Sequence, residues 1–158
     1  MVVKRGFVVE AGRVVAAMLT ASMVGRILMG WAADRLGQAM RHLAIQAIAS
    51  AAAVCLLMAA PDGWALYASA ALVGFIAMGW NGVHIAELAR VAPLSMVSDV
   101  TSAASLFGFC GSILGPLVFA LLVGWTGSYA VAFLAVAGQL AGFGLASLFM
   151  LWRKNAAG

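Results

Sequence analysis

A chain of 158 residues in which 65% are hydrophobic and 9% are charged is not a soluble domain, where about 25% of residues carry charge. The net charge of +4 comes from basic residues standing singly or in pairs between apolar runs, which excludes a basic nucleic-acid-binding face. The two cysteines, Cys55 and Cys110, have no metal-ligand spacing and read as small buried hydrophobes, so neither a metal centre, a disulfide nor a cofactor site is expected.

Residues 1–13, "MVVKRGFVVEAGR", carry basic residues but no compact apolar stretch ending in a small-residue cleavage site, so they are no signal peptide. Beyond them, apolar runs near the roughly 20 residues needed to cross the hydrocarbon layer recur. They fall at about 14–33, 43–60, 64–86, 100–124 and 129–152, and none alternates as a barrel strand does. The prediction is an all-α integral membrane protein of about five transmembrane helices, with a helical domain over 14–152 and a basic tail over 153–158.

The first span holds Arg26, about two turns from its end, together with Thr20 and Ser22. An arginine deep in a span costs roughly 2.5–3.5 kcal/mol unless it snorkels to the interface. The span runs into "GWAADRLGQAMRH", where Asp34, Arg35 and Arg41 crowd among Gly30 and Gly37. "PDG" at 61–63 is a tight turn. The third span opens on Trp64 and Tyr67, interface-type aromatics, and carries Trp80, Asn81, His84 and Glu87. Asn81, His84 and Glu87 follow at intervals of three and share a helical face. They either line a cavity or bond between helices, and His84 could titrate near neutral pH.

After the polar connection "ELARVAPLSMVSD", the fourth span contains Gly108, Gly111, Ser112, Gly115 and Pro116. Small residues four apart let helices approach closely, and Pro116 removes a backbone donor, so "GSILGP" is a packing face, a hinge, or both. "WTGS" then makes a short turn, and the fifth span, with Gln139 inside it, stops at Arg153 and Lys154. Connections after spans one, three and five hold Arg35, Arg41, Arg90, Arg153 and Lys154, whereas those after spans two and four hold no Lys or Arg. The positive-inside rule therefore predicts a cytoplasmic C-terminus in the cell (inner) membrane. Five spans then leave Lys4, Arg5 and Arg13 outside, a conflict that an additional upstream helix would remove.

"GRILMGWAADRLGQAMR" resembles the loop signature of the major facilitator superfamily, G-x-x-x-D-R-x-G followed by basic residues. Gly30, Asp34, Arg35, Gly37 and Arg41 match, while Gln38 and Ala39 stand where further basic residues are common. "GFCGSILGPLVFALLVGWTGSYAVAF" is similar to helix eleven running into helix twelve. "GSILGP" also resembles the helix-five antiporter signature, but Phe119 and Ala120 replace its trailing glycines, and the third span lacks the arginine common in helix four. The resemblance implies helices eight to twelve of a twelve-helix transporter, a partial bundle with "KRGF" as remnant of the preceding outer loop.

It further implies that Asp34, Arg35, Glu87 and Arg90 form a conformational latch on the cytoplasmic side. Without it, these residues read as solvated interfacial charges. An acid at a helix C-terminus opposes the helix dipole, so Asp34 needs a compensating partner. The implied function is secondary transport of a small solute, of class not evident from the sequence, by alternating access in a complete protein, with the lipid bilayer and a missing N-terminal half as partners. The competing reading is a non-transporting membrane subunit or an inactive fragment. His84 and Glu87 form the only His/acid pair on one face, with no second catalytic group, so no enzyme and no catalytic residue is expected.

Overall fold

The computed structural model describes residues 2–156, with side chains from Val8 onward. These residues form six helices: α1 (Val2–Leu36), α2 (Ala39–Ala59), α3 (Trp64–Ala77), α4 (Trp80–Val91), α5 (Val97–Thr126) and α6 (Tyr129–Ala156). Five stretches are long and apolar enough to cross a membrane: Val8–Leu36, Ala39–Ala59, Trp64–Val91, Val97–Thr126 and Tyr129–Ala156. The protein is an all-α, multi-pass membrane protein.

The turns have local causes. Gly37 takes φ 61°, a conformation open to glycine at little cost, and its N–H closes α1 by donating to the Ala33 carbonyl at 3.0 Å. Gly127 ends α5 in the same way, at φ 65° and with a 2.8 Å bond to the Val123 carbonyl. Pro93 forces Ala92 into extended backbone, which stops α4.

Two boundaries differ from the sequence expectation. Helix α1 begins at Val2 rather than near residue 14. The Tyr67 hydroxyl donates to the Glu10 carboxylate, which sets Glu10 level with the first turn of α3 and carries the earlier residues past that level. The third span is two helices, α3 and α4, interrupted at Met78 and Gly79. Pro116, by contrast, lies inside an uninterrupted α5.

Helix α1 packs chiefly on α3 and α2 on α6, with α2 and α3 joining the two pairs. The core is built from small side chains, Ala51, Ala53, Val54, Val73 and Ala137, flanked by Met18, Ile76 and Phe133. Lipid tails are as apolar as the side chains, so helix association rests on close packing, which small residues permit. The tightest approach is between α1 and α3, backbone against backbone. A Cβ on Gly25 would run into the Phe75 carbonyl, and one on Gly74 into the Met18 carbonyl. Between α2 and α6, a Cβ on Gly144 would lie 2.8 Å from the Ala44 carbonyl oxygen. Helix α5 stands apart: it leans on α4 and α6, partly through an edge-to-face pair of Phe119 and Phe133 at 5.0 Å, and has no buried residue.

Alanine normally favours a helix over glycine by about 1 kcal/mol, so its effect here separates packed from open positions. Gly74→Ala is expected to destabilise the fold by about 1–3 kcal/mol through overpacking. Gly138→Ala, where nothing lies within 4 Å of the new Cβ, is expected to be neutral or stabilising. Unfolding in mixed micelles, followed by circular dichroism, measures both.

Candidate functional site

One end of the bundle collects the basic residues. Arg35 closes α1, Arg41 lies in the first turn of α2, Arg90 in the last turn of α4, and Arg153 and Lys154 in the last turn of α6. Glu87 and Arg90 meet one turn apart on α4, where Nε and Nη2 of Arg90 each donate to a Glu87 carboxylate oxygen at 2.7 Å. The Glu87 side chain is 10% exposed and that of Arg90 67%, so the pair sinks its acid and presents its guanidinium.

Asp34 does not join this pair. It stands across a cavity of about 410 Å³ that lies between α1 and α4 and is also lined by Gly30, Gly37, Gly82, Glu87 and Arg90. Arg35 turns away, its guanidinium 4.9 Å from the Trp31 ring centroid. Arg41 donates to the Gln38 side chain at 3.3 Å. The four residues expected to form a latch therefore gather at one end, but among the described residues only Glu87 and Arg90 are paired.

The second locus is the break at Met78 and Gly79. A helix end leaves its last carbonyls without intrahelical partners, a costly state in the membrane interior. Gln46, buried on α2, donates its Nε2 to the Ile76 carbonyl at 2.7 Å and covers one of them. Its Oε1 is buried with no partner among the described residues. Gly79 admits this arrangement: a Cβ there would lie 2.9 Å from the Phe75 oxygen and 3.3 Å from both Gln46 Nε2 and the Gly25 carbonyl carbon. The Gly25–Gly79 approach also places Arg26 at the depth of the break, about 15 Å along α1 from its basic end. Arg26 is exposed and makes no ion pair among the described residues.

Trp80, Asn81 and His84, in the first turns of α4, come together on a cavity of about 250 Å³ facing α5. The Trp80 and His84 rings lie 5.4 Å apart. Ser105, Gly108 and Ser112 form the opposite wall. Both hydroxyls donate to carbonyls of their own helix, at 2.8 Å for Ser105 and 2.9 Å for Ser112. Among the described residues nothing lies within 4 Å of a Cβ placed on Gly108, Gly111 or Gly115, so these glycines make no close helix approach, and Gly108 faces α4 only across the cavity. Cys55 and Cys110 are unpaired and, contrary to expectation, exposed.

Comparison with known proteins finds a distant similarity. Over 113 residues, 70% of the chain, the sequence is 31% identical to proteins from two strains of Mycobacterium tuberculosis, CDC 1551 / Oshkosh and ATCC 25618 / H37Rv, each named "Probable nitrate/nitrite transporter NarK2". The similarity is to a transporter. The chain spans 28% of the length of these relatives. No family model matches it, and no solved structure shows a significant match.

Gln46 and the glycine contacts of α1 and α3 are absent from the sequence reading. Gln46 and Gln139 look alike in sequence, each alone in an apolar run, yet Gln139 is exposed while Gln46 is buried against the break. Gln46→Leu is expected to destabilise the fold by about 1–3 kcal/mol, because the Ile76 carbonyl loses its partner. Gln139→Leu is expected to stay within about 0.5 kcal/mol of the native protein in the same unfolding measurement.

Proposed function

We propose that the chain is a C-terminal-half segment, helices eight to twelve, of a major facilitator superfamily transporter that moves a small inorganic oxyanion of the nitrate or nitrite kind by alternating access. The observation that carries this reading is Arg26, an exposed guanidinium deep in a span, level with the start of a helix that begins inside the membrane. Intramembrane charges are costly and tend to mark solute pathways, and helix N-termini within broken helices favour anionic groups. The choice of substrate class is supported by the similarity to mycobacterial proteins named as probable nitrate/nitrite transporters. The basic end is cytoplasmic on this reading, in the inner membrane, as the positive-inside rule requires.

Such a pathway lies between two bundles. The lack of buried residues on α5, and glycines on it at which nothing lies within 4 Å of an added Cβ, suit it to border a second bundle. In the same framework, Asp34, Arg35, Glu87 and Arg90 act as a latch. The cavity separating Asp34 from Arg90 is the space across which the latch closes or a charge from the other half enters.

Two experiments test the reading. The chain, exchanged into the corresponding region of the mycobacterial relative and reconstituted in proteoliposomes, is expected to support nitrate or nitrite uptake. Arg26→Gln is expected to lower that uptake roughly tenfold or more, the loss of one charged hydrogen bond. Unchanged uptake in the Arg26→Gln protein contradicts the role of Arg26, and uptake by the chain alone contradicts the half-transporter reading. For the latch, a Gly82→Cys reporter in a background with Cys55 and Cys110 changed to Ala is labelled from the cytoplasmic side. Asp34→Asn and Glu87→Lys are each expected to change the labelling rate several-fold, and a latch is excluded if neither does.

A further inference from the structure

A second cavity at the basic end, about 690 Å³, opens between the α1–α2 turn, α4 and the last turns of α6. Its walls are chemically divided. Arg41 and Arg90 stand at one side with Gln38, which holds Arg41 in place. Leu148, Leu151 and Trp152, on one face of α6, form an apolar wall that ends in Asn155. The acid within it, Glu87, is largely buried and paired with Arg90, which it partly neutralises, so the lining keeps a net positive charge centred on Arg41, with the outer N–H groups of Arg90 still exposed. Arg153 and Lys154, in the last turn of α6, add positive charge to the same end of the bundle without lining the cavity.

We propose that this cavity binds the phosphate of an anionic phospholipid, with the headgroup on Arg41 and Arg90 and an acyl chain along Leu148 and Leu151. Guanidinium groups match phosphate geometry and charge. Basic pockets between transmembrane helices at the cytoplasmic face are where anionic headgroups bind. A free phosphate shares the charge chemistry but makes no use of the leucine wall. This site takes the cytoplasmic placement of the basic end from the proposed reading but does not depend on transport.

The test uses the full chain in nanodiscs of equimolar phosphatidylglycerol and phosphatidylcholine, followed by native mass spectrometry of the lipids retained after release into detergent. Both lipids carry a phosphate, but the choline cation is repelled by the arginines. Phosphatidylglycerol is expected to be retained over phosphatidylcholine on the order of tenfold. Arg41→Gln is expected to reduce that retention about fivefold, and Arg41→Lys to restore most of it. Arg13→Gln, at the opposite end of α1, is expected to leave it unchanged. Circular dichroism verifies that each variant is folded. Equal retention of the two lipids, or retention unaffected by both Arg41→Gln and Arg90→Gln, overturns the proposal. Displacement by millimolar glycerophosphate as effective as by phosphatidylglycerol overturns it in favour of a soluble phosphate.

Discussion

The arrangement of this bundle depends on one contact, the meeting of α1 and α3 backbone against backbone at Gly25 and Gly74. In lipid there is no hydrophobic gain from bringing two apolar helices together, so association needs an approach that side chains would block. The same approach extends to Gly79, where the chain is interrupted, and so ties the break to α1. Once the helix breaks, its carbonyls require partners that lipid cannot provide, and the Gln46 amide supplies one from α2. Three helices are thereby fixed around one irregular point, and Arg26 is set at its depth.

The charged residues obey a second constraint. A carboxylate at the membrane interface is stable when its hydrogen-bonding capacity is met, and Arg90 meets it for Glu87 with two bonds of 2.7 Å within one helix. The guanidinium keeps its outer face exposed, and it borders two cavities, one toward Asp34 and one toward α6. Asp34 stays unpaired at the end of α1, where the helix dipole disfavours an acid. That is a cost the described residues leave uncompensated, and it makes Asp34 responsive to any cation brought near it.

How far the sequence carried the reading follows from which physics was local. Spans and turns rest on run length and on glycine or proline within a few residues, so the five membrane-crossing stretches and the turns at Gly37 and Gly127 were legible. The clustering of arginines at one end follows from alternation of connections along the chain and was legible too. The break was not. "MGW" at 78–80 has no proline, while the proline that does sit within a span, Pro116, lies in an unbroken helix. Spacing shows which glycines share a helix face, but not whether another helix meets it. Gly108, Gly111 and Gly115 have the small-residue spacing yet meet nothing within 4 Å, whereas Gly25 and Gly74 pack tightly. The similarity to transporters comes from the mycobacterial proteins, because no residue pattern here names a substrate.

Helix α4 connects the two loci. It has 12 residues, so it is about 18 Å long, and its ends belong to different environments. Its first turn starts at the break, beside the level of Arg26, and its last turn carries Arg90 into both basic-end cavities. A helix this short, with Val83 and Glu87 buried along one side, has little length over which to bend. The joint before it has a close contact at Gly79, while the Gln46 bond secures the α3 side of the break at the Ile76 carbonyl. Rotation about that joint displaces Arg90 relative to Asp34 by more than it displaces Asn81 relative to Arg26, because the basic end is farther from the pivot. On the proposed reading, an anion near Arg26 and the first turn of α4 lies at one end of the helix whose other end carries Arg90 into the basic cavities.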